Sequence, residues 1–300
     1  MPPNSAGGDG TSRRALVAGA LAGLALARPA AAEGRPVRRI VSLDFGLAET
    51  LLAMDIAPVG LPAIADWANW VVEPRLPAGI VDLGTAQEVN LELLSELAPD
   101  VILTTPYLAR LSSALGRIAP VVSLPIYDAR GEPLARAAEA ARRLAAMTGE
   151  AGRGEALIGR VEATFAGVRA RLAGTDRTPA YFVNFMDARH VRVYGAKSLF
   201  QGVLDRIGLP NAWTGPTNDW GFATVGIEAL ATRSATRLFY LQPAHEFERT
   251  SRGALWQSLS FARLGQVAML PPILMFGALP SAARFARIVG DRLAPGPDHG

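Results

Sequence analysis

EAGRGEALIGRVEATFAGVRARL, running from Glu150 to Leu172, is the stretch on which the fold turns. Within it Leu157, Ile158, Val161, Phe165, Val168 and Leu172 recur at three- and four-residue steps, the spacing of one helix face. A helix of this length would reach roughly 35 Å at about 1.5 Å per residue. Gly149 stands before it, and Gly174, Asp176 and Pro179 end it. A single long helix set between two stretches of different periodicity reads as a bridge.

Upstream, short apolar runs alternate with helical segments. Arg39-Ile40-Val41-Ser42-Leu43 reads as a buried strand, and Glu49 to Met54 as the end of a helix. Pro58-Val59-Gly60-Leu61 is a second strand, and Ile80-Val81-Asp82-Leu83-Gly84 leads into a loop. Asn90 is placed to cap a helix over Leu91–Leu97 that stops at Pro99. Val101–Thr104 and Val121–Leu124 follow as strands, and Pro133 opens a helix expected to run to Met147. This alternation predicts a mainly parallel sheet covered on both faces.

Downstream the pattern restarts. Met54-Asp55-Ile56-Ala57-Pro58 is echoed by Ile207-Gly208-Leu209-Pro210-Asn211, and Val89-Asn90-Leu91-Glu92-Leu93-Leu94 by Val225-Gly226-Ile227-Glu228-Ala229-Leu230. Either two common α/β units happen to look alike, or the chain holds two similar lobes. The second reading accounts for the bridge as well. The fold class is therefore α/β, with two Rossmann-like lobes joined by a single long helix and a ligand cleft between them. The expected segments are an export signal over 1–32, an amino-terminal lobe over 33–149, the bridge over 150–173 and a carboxy-terminal lobe over 174–300.

The 300-residue length suits two such lobes. Half the residues are hydrophobic and 19% charged, a composition that packs a large interior. Cysteine is absent, which removes disulfides, thiolate catalysis and cysteine-ligated metals together. At the start, Ser12-Arg13-Arg14 precedes an apolar run to Ala27, and Ala30-Ala31-Ala32 offers a cleavage site before Glu33. The paired arginines suit a twin-arginine signal; the alternative is a general secretory signal with a basic end. Without residues 1–32 the chain loses three arginines and one aspartate, and its 30 basic and 27 acidic residues become 27 and 26. That balance gives no reason to expect a nucleic-acid partner.

No Walker loop, H-E-x-x-H, G-x-S-x-G or G-x-G-x-x-G occurs. His190, His245 and His299 are not spaced with one another, or with carboxylates, as metal ligands are. The aromatic residues say more. Trp67 and Trp70 precede Glu73-Pro74, Tyr107 follows Thr104-Thr105-Pro106, and Trp220 follows Thr217-Asn218-Asp219. All are expected on loops after strands, where open α/β sheets bind ligands. They would either wall a ligand site with flat apolar faces or plug the edges of the lobes.

Asp187-Ala188-Arg189-His190, Ser198-Leu199-Phe200-Gln201, Pro210-Asn211-Ala212-Trp213, Thr217-Asn218-Asp219-Trp220-Gly221 and Gly277-Ala278-Leu279 occur in a telling order. With Asn90-Leu91-Glu92-Leu93-Leu94 and Arg117-Ile118-Ala119-Pro120, the chain over about residues 38–290 resembles the periplasmic iron(III)-hydroxamate siderophore-binding family of helix-bridged solute-binding proteins. The resemblance implies a monomeric receptor in the periplasm that hands a ferric siderophore to an inner-membrane ABC permease. It implies no catalysis, no cofactor and no metal ligands of the protein's own, because the siderophore itself wraps the iron. Trp70, Tyr107, Trp220 and Phe276 match cleft positions of that family. Tyr107 would hydrogen-bond a coordinated oxygen while the tryptophans pack on the ligand's carbon skeleton. Glu92 and Glu228 match the acids that meet transporter arginines, or they merely favour the positive ends of their helices.

The chain departs from that family in one respect of charge. The arginine expected just before the N-L-E helix is Ala86 here, and Leu274-Met275-Phe276 replaces a more aromatic triplet. Arg192 stands where the family has leucine, so the charge has either moved to the other lobe or Arg192 faces solvent. The alternatives to a ferric hydroxamate are another bulky chelate (a carboxylate or catecholate siderophore, haem or a corrinoid) and, in a different class, an exported α/β hydrolase.

Overall fold

The computed structural model describes residues 36–85, 87–232, 236–241 and 245–294. The export segment 1–32, Ala86 and His299 lie outside the described residues. The amino half forms a five-stranded sheet from β1 (Ile40–Ser42), β2 (Gly60–Leu61), β3 (Val81–Asp82), β4 (Val101–Thr104) and β5 (Val121–Ser123). The strands are all parallel, in the order β3-β2-β1-β4-β5. Strands covered on both faces read as unbroken apolar runs, as β1 and β4 do. The helices of this half are α1 (Phe45–Ala53), α2 (Trp67–Trp70), α3 (Leu91–Glu96), α4 (Ser112–Leu115) and α5 (Pro133–Thr148). Asn90 caps α3 by accepting from the Leu93 amide at 2.9 Å, as its sequence position predicts.

The bridge is α6 (Ala151–Arg171), 21 residues and about 32 Å long. Gly149, at φ 77°, takes the left-handed turn that ends α5 and lets α6 double back against it. Leu157, Val161, Phe165 and Val168 form the buried face of α6, while Ile158 is only half-buried beside it.

The carboxy half holds a second sheet of β6 (Ala180–Phe185), β7 (His190–Tyr194), β8 (Phe222–Gly226), β9 (Arg237–Tyr240) and β10 (Val267–Met269). Read from its other edge as β8-β7-β6-β9-β10, its order matches the first sheet position for position, but β7 runs antiparallel to both neighbours. The Asp187 carboxylate closes the β6–β7 hairpin by accepting from the Arg189 and His190 amides at 2.7 and 2.8 Å. The echoed Pro210-Asn211 segment bridges the start of β6 in parallel, through Ala180 N–H to Pro210 O at 3.1 Å and Ala212 N–H to Ala180 O at 3.0 Å. Val59–Leu61 meets β1 in the same way. The carboxy sheet thus repeats the order of the amino one with a reversed strand, β7, in the place of β2.

The remaining helices are α7 (Leu199–Ile207), α8 (His245–Ser251), α9 (Ala254–Ser258), α10 (Ser260–Arg263) and α11 (Leu279–Leu293). α11 packs on α6 and α7 and also on α1 of the amino half. One apolar core accordingly runs from Ile40, Leu47 and Leu51 through Phe165 to Phe182, Phe200 and Phe285. No described helix is long and apolar enough to cross a membrane.

Candidate functional site

Every strand of the amino sheet delivers a residue to the cleft from its carboxyl end. After β1, Asp44 caps α1 by accepting from the Leu47 amide at 2.9 Å, and burial pushes its carboxyl up to about 6. After β2, α2 brings Trp70 to the cleft wall. After β3 come Gly84, Thr85 and Gln87, and after β4 comes Tyr107, 61% exposed, on a 3-10 turn opened by Pro106. After β5 comes Tyr127, whose hydroxyl donates to Gly277 O at 2.8 Å.

Trp67 takes the packing role that the sequence reading left open for these aromatics. It is 3% exposed, packs edge-on against Phe45 at 5.3 Å and donates its indole N–H to Pro74 O at 2.9 Å. Its indole pins the Glu73–Pro74 turn from the core side.

On the other side, Trp220 does not follow a strand, as expected, but leads into β8; the reversed β7 displaces the loop order. The motif around it is a rigid mount. Asn218 Oδ1 accepts from the Trp220 and Phe222 amides at 3.0 and 3.2 Å, and Thr217 Oγ1 donates to Ala196 O. Gly221 has φ 77°, and a Cβ there would lie 2.2 Å from the Ser198 backbone. No other residue fits that approach.

Trp220 is the hub of the aromatic cluster. It stacks on Tyr127 at 5.6 Å and 19°, meets Tyr107 edge-on at 6.0 Å and Phe276 at 5.2 Å. On one side lies a cavity of about 650 Å³, walled by Asp44, Trp70, Thr85, Tyr107 and Trp220. On the other lies a smaller one of about 300 Å³, bounded by Tyr107, Tyr127, Trp220 and Phe276. Four of the five expected ligand residues are therefore brought together. Arg192, the fifth, stands behind this wall. Its guanidinium lies 4.3 Å over the Phe222 ring and 5.8 Å from that of Phe276. Its Nε is buried with no hydrogen-bond partner, and among the described residues no carboxylate pairs with it.

Glu92 and Glu228 lie away from the cleft and are both exposed, one in the first turn of α3, the other in a 3-10 turn over Ile227–Thr232. Those two elements precede β4 and β9, equivalent strands of the two sheets. His190 is exposed and holds Asp187 through Nδ1 at 2.9 Å. Among the described residues no three His, Cys, Asp or Glu side chains gather as a metal site.

The sequence reading missed three residues. Tyr127 satisfies the strand-then-loop criterion that selected Tyr107, since it follows β5 directly. Asp44 was visible as the polar residue that ends an apolar strand. Glu49 is the third, and it was signalled by its place inside the apolar run Leu47–Leu52. Its wholly buried carboxylate accepts from the Ala278 and Ser281 amides at 2.6 and 3.2 Å and from Ser281 Oγ at 2.6 Å. It thereby ties α1 to the first turn of α11, and burial pushes its carboxyl up to about 7.

Comparison with known proteins agrees with this geometry. A family model described as periplasmic binding protein matches residues 40–274. The iron(3+)-hydroxamate-binding protein FhuD of Escherichia coli (strain K12) is 32% identical over 257 residues, 85% of this chain and 86% of that one. The crystal structure of the siderophore-binding protein FhuD from Vibrio cholerae, bound to Fe3+–Desferal, superposes with a TM-score of 0.82 at 29% identity, over 86% of this chain and 99% of that one. The petrobactin-binding protein YclQ of Bacillus subtilis shares the fold, with a TM-score of 0.72 at 17% identity over 87% and 94% of the two chains.

Proposed function

This chain belongs to the periplasmic binding protein family, and from that premise we propose that it captures an iron(III)–siderophore of hydroxamate type and delivers it to an ABC importer. The observation that carries the reading is the 650 Å³ cavity to which one lobe gives Trp70 and Tyr107 and the other gives Trp220. Its volume suits a ligand of siderophore size, and its lining joins apolar and aromatic walls to polar groups that include Asp44, Asp66, Asp82, Thr85 and Gln87. The E. coli relative is a hydroxamate-binding protein and the V. cholerae relative holds Fe3+–Desferal, which supports the ligand class.

Within the site, the Tyr107 hydroxyl donates to a coordinated oxygen, while Trp70 and Trp220 cover the ligand's carbon skeleton and Phe276 backs Trp220. Arg192 adds a positive charge behind the aromatic wall, toward the partial negative charge of the iron-bound oxygens. The core that runs through both lobes favours small movements over wide closure. Glu92 and Glu228 meet the permease, one from each lobe. Export proceeds by the twin-arginine route from Ser12-Arg13-Arg14.

Titration of intrinsic tryptophan fluorescence with a panel of ferric chelates tests the reading. Ferric hydroxamates should give a saturable response at sub-micromolar concentration. A response confined to catecholates, carboxylates, haem or corrinoids would reassign the ligand, and none from any chelate would remove the receptor role.

A further inference from the structure

Both cavities carry aspartates, Asp44, Asp66 and Asp82 in the larger, but the smaller cavity behind Trp220 is the more densely aromatic. Four rings bound it, from Tyr107, Tyr127, Trp220 and Phe276. Its polar lining is acidic, from Asp44, Asp128 and Asp219, and among the described residues no basic side chain reaches its wall. The bases that balance two of those acids stand outside: Lys197 on Asp219 at 3.1 Å, and Arg130 and Arg136 on Asp128, each at 3.3 Å. Asp44 has only backbone partners and opens onto both cavities. Aromatic faces carry negative potential, and a cation among several rings is held by it, the more so with water displaced. A carboxylate at the rim adds a charge-assisted hydrogen bond.

We propose that this cavity is a second subsite, which takes an alkylammonium arm of the chelate whose iron centre occupies the larger cavity. The inference rests on the receptor reading above and narrows its ligand class to chelates that carry a free amine. Trp220 and Tyr107 are common to both cavities, so an arm that reaches past the indole passes from one to the other without leaving the cleft. Asp44 stands at that passage.

The test compares two probes, the ferric complex of a linear trishydroxamate ending in a primary amine and the same complex N-acetylated. The parent protein should bind the amine form about three- to tenfold more tightly, the range a desolvated cation over aromatic rings supports. Asp44→Asn keeps a capping side chain for α1 and removes the charge. Combined with Asp219→Asn it should bring the affinity ratio close to one. Equal binding of both probes by the parent overturns the proposal, as does a preference that persists unchanged in the double variant. If neither ferric complex binds, the receptor reading fails, and n-pentylammonium titrated alone against Trp fluorescence then decides the cavity. A saturable response lost in the double variant keeps the ammonium site; no response in the parent removes it.

Discussion

The two lobes share a strand order and differ in one strand. In the amino lobe all five strands run the same way, and Asp44, Trp70, Thr85, Tyr107 and Tyr127 all reach the cleft from carboxyl ends. In the carboxy lobe the strand β7 is reversed. There the cleft draws Trp220 from the start of a strand and Phe276 from the segment after β10. A parallel sheet dictates where its ligand residues stand. A mixed sheet needs local devices instead, and the mount of Asn218, Thr217 and Gly221 under Trp220 is such a device.

Despite this difference the lobes are not independent, and the largest expected effect comes from cutting what joins them. Glu49→Ala would leave the Ala278 and Ser281 amides and the Ser281 hydroxyl without their buried acceptor. At roughly 1–3 kcal/mol for each unsatisfied group, a loss of at least about 3 kcal/mol is expected. Thermal denaturation should show it as a fall of roughly 6–12 °C. A fall under about 2 °C would mean that the lobes are held by the apolar core alone.

The same carboxyl gives the protein an unusual pH response. In the folded state it titrates near 7, chiefly because of burial, against an ordinary value of 4.5. Between those values the folded chain holds more protons than the unfolded one, so stability declines as pH rises through that window. Its full contribution is present below 4.5 and lost above 7, by roughly 3 kcal/mol at about 1.4 kcal/mol per pH unit. Glu49→Gln, which can still accept from both amides, should flatten the dependence of Tm on pH between 5 and 7. A slope unchanged in that variant would assign the effect elsewhere, Asp44 first, since its raised carboxyl acts with the same sign up to about 6.

Next in size are the cleft aromatics, where the two lobes can be set against each other. Trp220→Ala removes the partition between two cavities and should weaken ferric-hydroxamate binding by about 2 kcal/mol or more, as a central anchor does. Tyr107→Ala, from a side chain 61% exposed before ligand arrives, should cost about 1 kcal/mol. Isothermal titration with both variants checks the order. Unchanged affinity in both, with the fold intact, would remove the site.

Much of this was legible in the sequence wherever the physics is local. The bridge appears as a single helix face, Asn90 marks a helix start by its capping side chain and Gly149 a helix end by its backbone freedom, and the strands of the amino lobe show as apolar runs. The reversal of β7 was not legible, because Val191 and Val193 alternate alike in either direction. Nor was the burial of Trp67, which depends on Phe45 and Pro74 arriving from other elements. Glu49 shows the same limit. A carboxylate in an apolar run announces a buried partner, but its partner lies more than two hundred residues on, at Ala278 and Ser281.

Arg192 sharpens the comparison further, since it tests whether the charge that the resemblance puts at the position of Ala86 in the amino lobe is supplied here from the carboxy lobe. Its Nε is buried without a hydrogen-bond partner, and the guanidinium is held by the Phe222 ring and the Tyr194 hydroxyl rather than by a protein acid. Because it stands behind Phe276 and Phe222 rather than in the cavity wall, Arg192→Leu should weaken ferric-hydroxamate binding by only about 1 kcal/mol, less than a direct charged hydrogen bond. Ala86→Arg should recover more affinity in the Arg192→Leu background than in the parent. Equal binding by Arg192→Leu and the parent would show that no charge was relocated.

The smallest effect on the isolated protein is expected where the lobes agree best, at Glu92 and Glu228. Both acids are exposed, and both sit in the first turn of the element that precedes equivalent strands. Charge near a positive helix end is worth about 0.3–1 kcal/mol, and that benefit needs a helix with aligned peptide dipoles. α3 is α-helical and capped by Asn90, whereas Glu228 sits in a 3-10 turn preceded by Gly226. If helix charge were the only role, Glu92→Ala would destabilise the protein by a few tenths of a kcal/mol more than Glu228→Ala, and neither would alter transport. Docking predicts a different division. Each variant should bind the ferric ligand as the parent does, each should lower uptake by cells that carry the cognate permease, and the two losses should be similar. The double variant should lower uptake more than either, because one acid from each lobe is needed to seat both on the permease. Transport at the parent's rate in the double variant would leave both acids with the helix-charge role alone.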